Sequence, residues 1–160
     1  MFYSNYEDFI KVIYSRLIAL GINTDELKID HIGYQADSSA DYDAKVLLME
    51  EDAEQISENI VGERRVGMFK LKSSLHYKGN SFDVIEIFEP RKGQEVNSAL
   101  EHIEFLVNGS LEDLMAQYPN VDWDSTVINR NEFPMLILKL GDGLRAKFPR
   151  RGVLEEINRI

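Results

Sequence analysis

An acidic residue, a histidine and an isoleucine occur in that order twice, as Asp30-His31-Ile32 and Glu101-His102-Ile103. Each time they open a strand-like stretch that is followed by a helix-like one and then by further strands. A chain that repeats such a unit is constrained to build two similar modules. Histidines at equivalent places in the two halves can meet across a pseudo-twofold axis, where a carboxylate between them would complete a metal site.

Periodicity supports the duplication. Phe9, Val12, Ile13, Leu17 and Leu20 recur at helical spacing before Gly21, which predicts an N-terminal helix within residues 1–22 that belongs to neither repeat. Leu27 to Ala36 alternates as a strand does, and Ser38-Ser39-Ala40-Asp41 offers N-cap chemistry for a helix through about Ile60. Strands are expected over Arg64 to Leu71, Leu75 to Tyr77 and Ser81 to Glu89, the last two joined by the turn residues Lys78-Gly79-Asn80. Residues 27–90 thus form the first module, and Pro90 to Asn97 the linker. The second module, residues 100–150, repeats the order. Glu101 to Val107 is a strand, Ser110 to Tyr118 a helix capped by Ser110, and Ser125 to Asn129 a further strand. Pro134 to Leu140 and Leu144 to Pro149 pair across Gly141-Asp142-Gly143, and a short helix closes the chain from Val153 to Ile160.

At 160 residues and 44% hydrophobic content the chain is the size of one domain, so both halves are expected to share one core. The absence of cysteine excludes disulfides and thiolate zinc sites, so any metal must be held by nitrogen and oxygen. A net charge of -10 disfavours nucleic-acid and membrane partners, and no stretch approaches the roughly 20 apolar residues a membrane span needs. The N-terminus lacks a basic patch followed by an apolar run, and a cytoplasmic location is expected. Either a monomer or a homodimer is compatible with two modules in one chain.

Side chains alternate across a strand, so the faces can be read directly. One face carries Ile32, Tyr34, Ile85, Ile87, Ile103, Phe105, Val107, Leu144, Ala146 and Phe148, all apolar or aromatic. The other carries His31, Gly33, Val84, Glu86, Phe88, His102, Glu104, Leu106, Arg145 and Lys147. One side of an antiparallel sheet is often simply solvated. Against that stands the choice of residues: the chain has only three histidines, and two of them begin matched strands.

Paired βαβββ modules with these residues resemble the vicinal oxygen chelate superfamily, whose glyoxalase-like members curl a mixed sheet into a cup around a metal. The resemblance implies an α+β fold and places ligands on the first and last strands of each module: His31, His102 and, in Phe82-Asp83-Val84-Ile85-Glu86-Ile87, Glu86. At the fourth position, within Leu144-Arg145-Ala146-Lys147-Phe148, Lys147 stands where the pattern has a carboxylate. That departure, with Asp30-His31-Ile32, Phe69-Lys70-Leu71, Glu101-His102-Ile103-Glu104 and Lys147-Phe148-Pro149, makes the closer resemblance the YecM-like branch, over Asp30 to Pro149. Its members are usually described as metal-binding or isomerase-like, without a settled substrate.

Two imidazoles and a carboxylate suit Zn, Ni, Mn or Fe and leave coordination positions open for a small-molecule substrate or water. The expectation is a metal-dependent isomerase or lyase acting on a small oxygenated metabolite, with His31, Glu86 and His102 as ligands and Glu104 as catalytic acid or base. For Lys147 three roles stay open: binding an anionic substrate group, acting deprotonated as ligand or nucleophile, or pairing with Glu86 in place of a metal. The last leads to the alternative, a non-catalytic binding protein that holds a small anion through Arg145 and Lys147 with no metal. His76, beside the turn at residues 78–80, is expected at the surface. Arg64-Arg65 and Arg150-Arg151 are expected to be solvated ends, the second pair, just past Lys147, being able also to attract a carboxylate-bearing ligand, and Trp123 to anchor a loop.

Overall fold

A computed structural model describes residues 1–159. The elements run α1 (Tyr6–Ala19), a short 3-10 turn (Thr24–Glu26), β1 (Lys28–Gln35), α2 (Ser39–Met49), β2 (Ala53–Val61), β3 (Arg64–Tyr77) and β4 (Asn80–Phe88). They continue with β5 (Ala99–Leu106), α3 (Leu111–Gln117), β6 (Met135–Gly141), β7 (Leu144–Pro149) and α4 (Val153–Ile157). The fold is α+β, with strands in the order β2-β3-β4-β1 in the first unit and β5-β7-β6 in the second. No helix among the described residues is long and apolar enough to cross a membrane. The chain separates into two compact units, Met1–Glu7 with His31–Glu101, and Asp8–Asp30 with the chain from His102 onward.

In the first unit β1 runs parallel to β4, with Ile32 opposite Ile85 and Gly33 opposite Glu86. β3 pairs antiparallel with both β4 and β2. Ser38 caps α2 by accepting from the Asp41 N–H at 3.0 Å, as the Ser-Ser-Ala-Asp pattern predicts. The helix ends at Met49, however, not near Ile60. Residues 53–61 form the edge strand β2, whose Ile56 and Ile60 imitate helical spacing. A bulge between Gln55 and Ser57 shifts the register, and the strand is largely exposed. The predicted strands at Arg64–Leu71 and Leu75–Tyr77 are one long strand, interrupted by an irregularity between Lys70 and Leu75. Lys78 and Gly79 both take positive φ, 42° and 80°, the geometry of a tight two-residue hairpin.

The second unit repeats the parallel pairing. β5 lies beside β7 with Ile103 opposite Ala146 and Glu104 opposite Lys147, and β6 pairs antiparallel with β7. The expected strand at Ser125–Asn129 is a run of turns, closed by Ile128 N–H to the Ser125 carbonyl at 3.2 Å. Only an isolated bridge between Asp124 and Ile137 stands in its place, so this module has one strand fewer than the first. Most of α1 belongs here. Its Ile10, Ile13 and Leu17 are fully buried, and Tyr14 packs on Phe105 with ring centroids 5.8 Å apart. Val12 and Leu20, counted in the apolar stripe, are exposed instead, because the buried arc runs through Ile10 and Tyr14. Phe105 stacks on Phe148 at 5.8 Å, and Trp123 meets Phe148 edge-on at 5.4 Å while donating to the Tyr118 carbonyl at 3.0 Å, so it anchors its loop as expected.

Candidate metal centre

The apolar face read from the strands is core: Ile32, Ile85, Ile87, Ile103, Phe105, Ala146 and Phe148 are all fully buried. The opposite face is buried as well. His31 and His102 are each 0% exposed, Glu104 4%, Glu86 7% and Lys147 8%. The face is therefore not solvated, as the choice of residues argued, and five ionisable side chains are withdrawn from water, which is costly unless charges are compensated.

In the first unit, β1 ends its polar half with His31, and the neighbouring strand β4 presents Glu86 beside it. His31 Nε2 and Glu86 Oε2 lie 3.2 Å apart, an interaction sealed from solvent at the histidine. Parallel pairing is what makes this possible, since it puts residue 86 next to residue 33 and so within reach of 31. In the second unit His102 and Glu104 share a face of β5 at a spacing of two, with Nε2 and Oε2 3.8 Å apart.

The two registers make the duplication exact enough to align position by position. Ile32 corresponds to Ile103 and Ile85 to Ala146, so Glu86 corresponds to Lys147 and Gly33 to Glu104. In the first module the carboxylate is on the last strand opposite a glycine. In the second it has moved to the first strand, opposite a lysine. The replacement of an expected carboxylate by Lys147 is thus accompanied by the gain of Glu104 in the adjoining position.

Each unit thus pairs a buried imidazole with a buried carboxylate, His31 with Glu86 and His102 with Glu104, donors of the types that hold a metal ion. Two imidazoles and two carboxylates suit a divalent transition metal, and a cation would offset the buried negative charge. Lys147 lies beside Glu104 on the neighbouring strand.

Other residues take different parts. His76 is exposed on β3, as expected. Arg65 is not a solvated end: its Nε and backbone N–H both donate to Glu89 Oε1 at 2.9 Å, and Nη2 donates to Oε2 at 3.1 Å. Arg150 forks onto Glu112 and also donates to the Ile128 carbonyl at 3.0 Å, so it is engaged within the protein. Arg151 donates to Glu156 at 2.7 Å. The acidic partners of Arg65 and Arg150 are distant in sequence, whereas Arg151 meets Glu156 across the first turn of α4. Arg130 was missed. It sits in the turn-rich connection before β6, where its Nε donates to the Phe133 carbonyl at 2.8 Å; no local pattern marks it.

Comparison with known proteins agrees with this architecture. The family model described as YecM protein matches residues 1–145. Protein YecM of Escherichia coli (strain K12) is 29% identical over 98 residues, 61% of this chain. The chain spans about half of that relative's length, 52%. Among solved structures, a structural-genomics protein, EC4020, superposes with TM-score 0.80 at 23% identity over 99% of this chain and 90% of that one. A Streptomyces coelicolor methylmalonyl-CoA epimerase variant, in complex with 2-nitronate-propionyl-CoA, superposes with TM-score 0.57 at 18% identity, covering 77% and 94%. The epimerase likeness is one of fold. Matched over residues 1–145, the chain belongs to the YecM family.

Proposed function

We propose that His31, Glu86 and His102 hold one divalent transition-metal ion, and that the protein is a metal-dependent isomerase or lyase acting on a small oxygenated metabolite. The observation that carries the reading is a buried histidine–glutamate pair in each module, launched from the same offset of the repeat: His31 with Glu86 at 3.2 Å, and His102 with Glu104 at 3.8 Å. Acids and histidines that only maintained solubility would not be sequestered to this degree. The epimerase relatives of the same fold, bound to acyl-CoA compounds in their structures, lend the reaction class plausibility.

When bound, such an ion would polarise a carbonyl oxygen. Glu104 is assigned the proton: its carboxylate removes a proton from the carbon beside that carbonyl and returns it. His102, two residues earlier on the same strand face, fixes where the substrate must sit relative to that carboxylate.

Buried Lys147 favours a second reading, in which its ammonium takes the metal's role and the protein binds a small anion without catalysis. Elemental analysis of untagged protein decides between them, alongside His31→Ala, Glu86→Ala and His102→Ala. Near-stoichiometric transition metal in the native protein, lost in all three variants, is the expected result. No uptake even after incubation with Zn, Ni, Mn and Fe salts would sink the metal reading.

A further inference from the structure

Gln35 closes the strand face that His31 begins. Alternation puts His31, Gly33 and Gln35 on one side of β1, and the register sets Gly33 beside Glu86 and Gln35 beside Phe88 on β4. Between His31 and Gln35 that face carries only the hydrogen of Gly33. Gln35 therefore stands about 7 Å along the strand from the row that holds Glu86, with no side chain of β1 in between. Phe88, its register neighbour, is 1% exposed and lies under the Arg64 guanidinium, whose carbon is 4.8 Å from the ring centre.

The linker fixes which way the Gln35 amide points. The Arg91 N–H, which can only donate, gives to Gln94 Oε1 at 2.9 Å, and the Gln94 N–H donates back to the Arg91 carbonyl at 2.9 Å. Gln94 Oε1 is thus an acceptor, so the group of Gln35 that faces it must be a donor. That group is Nε2, 3.4 Å away. Gln35 Oε1 is left as an acceptor, and it makes no hydrogen bond among the described residues. Gln35 is only 7% exposed. An acceptor withdrawn from water to that extent is stabilised by meeting a donor.

We propose that Gln35 is a specificity-determining residue, and that the carbonyl compound taken by this face carries a hydroxyl whose proton Gln35 Oε1 accepts. A ligand that offers only lone pairs at this point, such as an ether or a second ketone, sets oxygen against oxygen, because Gln94 keeps the amide from turning over. An ammonium has protons to give, but the Arg64 guanidinium over the neighbouring ring opposes a second positive charge. A neutral hydroxyl meets the acceptor without that repulsion. The assignment rests on the proposed function for the carbonyl and the metal, and adds the hydroxyl to the substrate.

The test is an NMR titration of protein incubated with zinc, using hydroxyacetone and hydroxybutanone, each beside its methyl ether. At least one hydroxyketone is expected to bind about tenfold more tightly than its ether. The added methyl group is the same in every variant, so the change in this ratio between variants is the readout. Gln35→Met, close in size, should bring the ratio to within about threefold by weakening the hydroxyketone. Gln94→Leu, at an exposed position, releases the amide to turn Nε2 toward the ligand and should narrow the ratio by strengthening the ether. A glutamine that only tied β1 to the linker would weaken both compounds alike. Should Gln35→Met fail to fold by circular dichroism, Gln94→Leu decides. Hydroxyketone and ether binding alike in wild type, neither binding, or a ratio unchanged in the folded variants would each overturn the proposal. Zinc bound without a hydroxyl preference would overturn this assignment alone, and the preference without zinc would overturn the metal reading alone.

Discussion

Replacing Glu89 by glutamine removes its charge and one arm of its fork on Arg65: the amide oxygen can still accept from the Arg65 N–H, but the amide nitrogen cannot accept from Nη2. Glu89 follows Glu86 on the same chain segment, and its bidentate contact with Arg65 ties the end of β4 to the start of β3. The Arg65 side chain, hydrogen-bonded to it, holds the Glu89 carboxyl at about 2 against an ordinary 4.5; burial opposes this, and Ser39 and the Arg65 N–H add to it. A carboxyl stabilised to that extent contributes at most about 3 kcal/mol to folding. The Arg65 side chain is 30% exposed, so screening trims the figure to about 2 kcal/mol. Since the folded carboxyl titrates below the unfolded one, the contribution is complete above about pH 4.5 and disappears as the pH falls toward 2. Urea unfolding of wild type and Glu89→Gln across that range should show a deficit of about 2 kcal/mol at neutral pH that closes on acidification. A deficit that is absent at neutral pH, or that persists unchanged to the acid end, would refute the reasoning.

Gly67→Ala should destabilise by about 1–3 kcal/mol in thermal melts, because its Cβ would fall 2.7 Å from the Tyr42 hydroxyl, whose ring is buried and whose oxygen donates to Glu58 at 2.7 Å; an unchanged melting temperature would contradict this. Asp30→Ala should cost about 1 kcal/mol and speed hydrogen exchange at the first turn of α4, since Asp30 Oδ2 accepts the Val153 N–H at 3.0 Å. Exchange at Val153 equal to wild type would show that contact to be incidental. His102→Ala should abolish metal uptake while leaving the far-ultraviolet circular dichroism spectrum unchanged; retained metal would remove His102 from the ligand set.

The ligand candidates were legible because strand alternation is local information. Once His31 and His102 are placed on strands, the face of Glu104 follows from a spacing of two, and that of Glu86 and Lys147 from the strands they occupy. Their burial was not legible. An alternating strand reads the same whether its polar face meets water or protein, and both faces are covered here. The boundary errors have the same origin. Ile56 and Ile60, four apart on a bulged edge strand, carry a helical period by coincidence of the extra residue. Val127 and Ile128 are apolar enough for a strand, yet Ile128 is buried within turns whose hydrogen bonds close locally. Arg130 and Glu89 escaped notice because their partners are set by loops and pairing between segments far apart in the chain.

The placement of α1 bears on how the chain reaches its native state. Its Arg16 donates to the Leu140 carbonyl at 2.8 Å, across a separation of 124 residues, and its Tyr14 waits for Phe105. The helix leaves the ribosome well before its partners do. At about 5–20 residues per second, its apolar stripe stays uncovered for on the order of ten seconds. Closing so long a loop also places this chain among the slower folders of its size. A helper that shields Ile10, Ile13 and Leu17 during synthesis would therefore act on yield, through the second unit, without touching His31, Glu86 or His102.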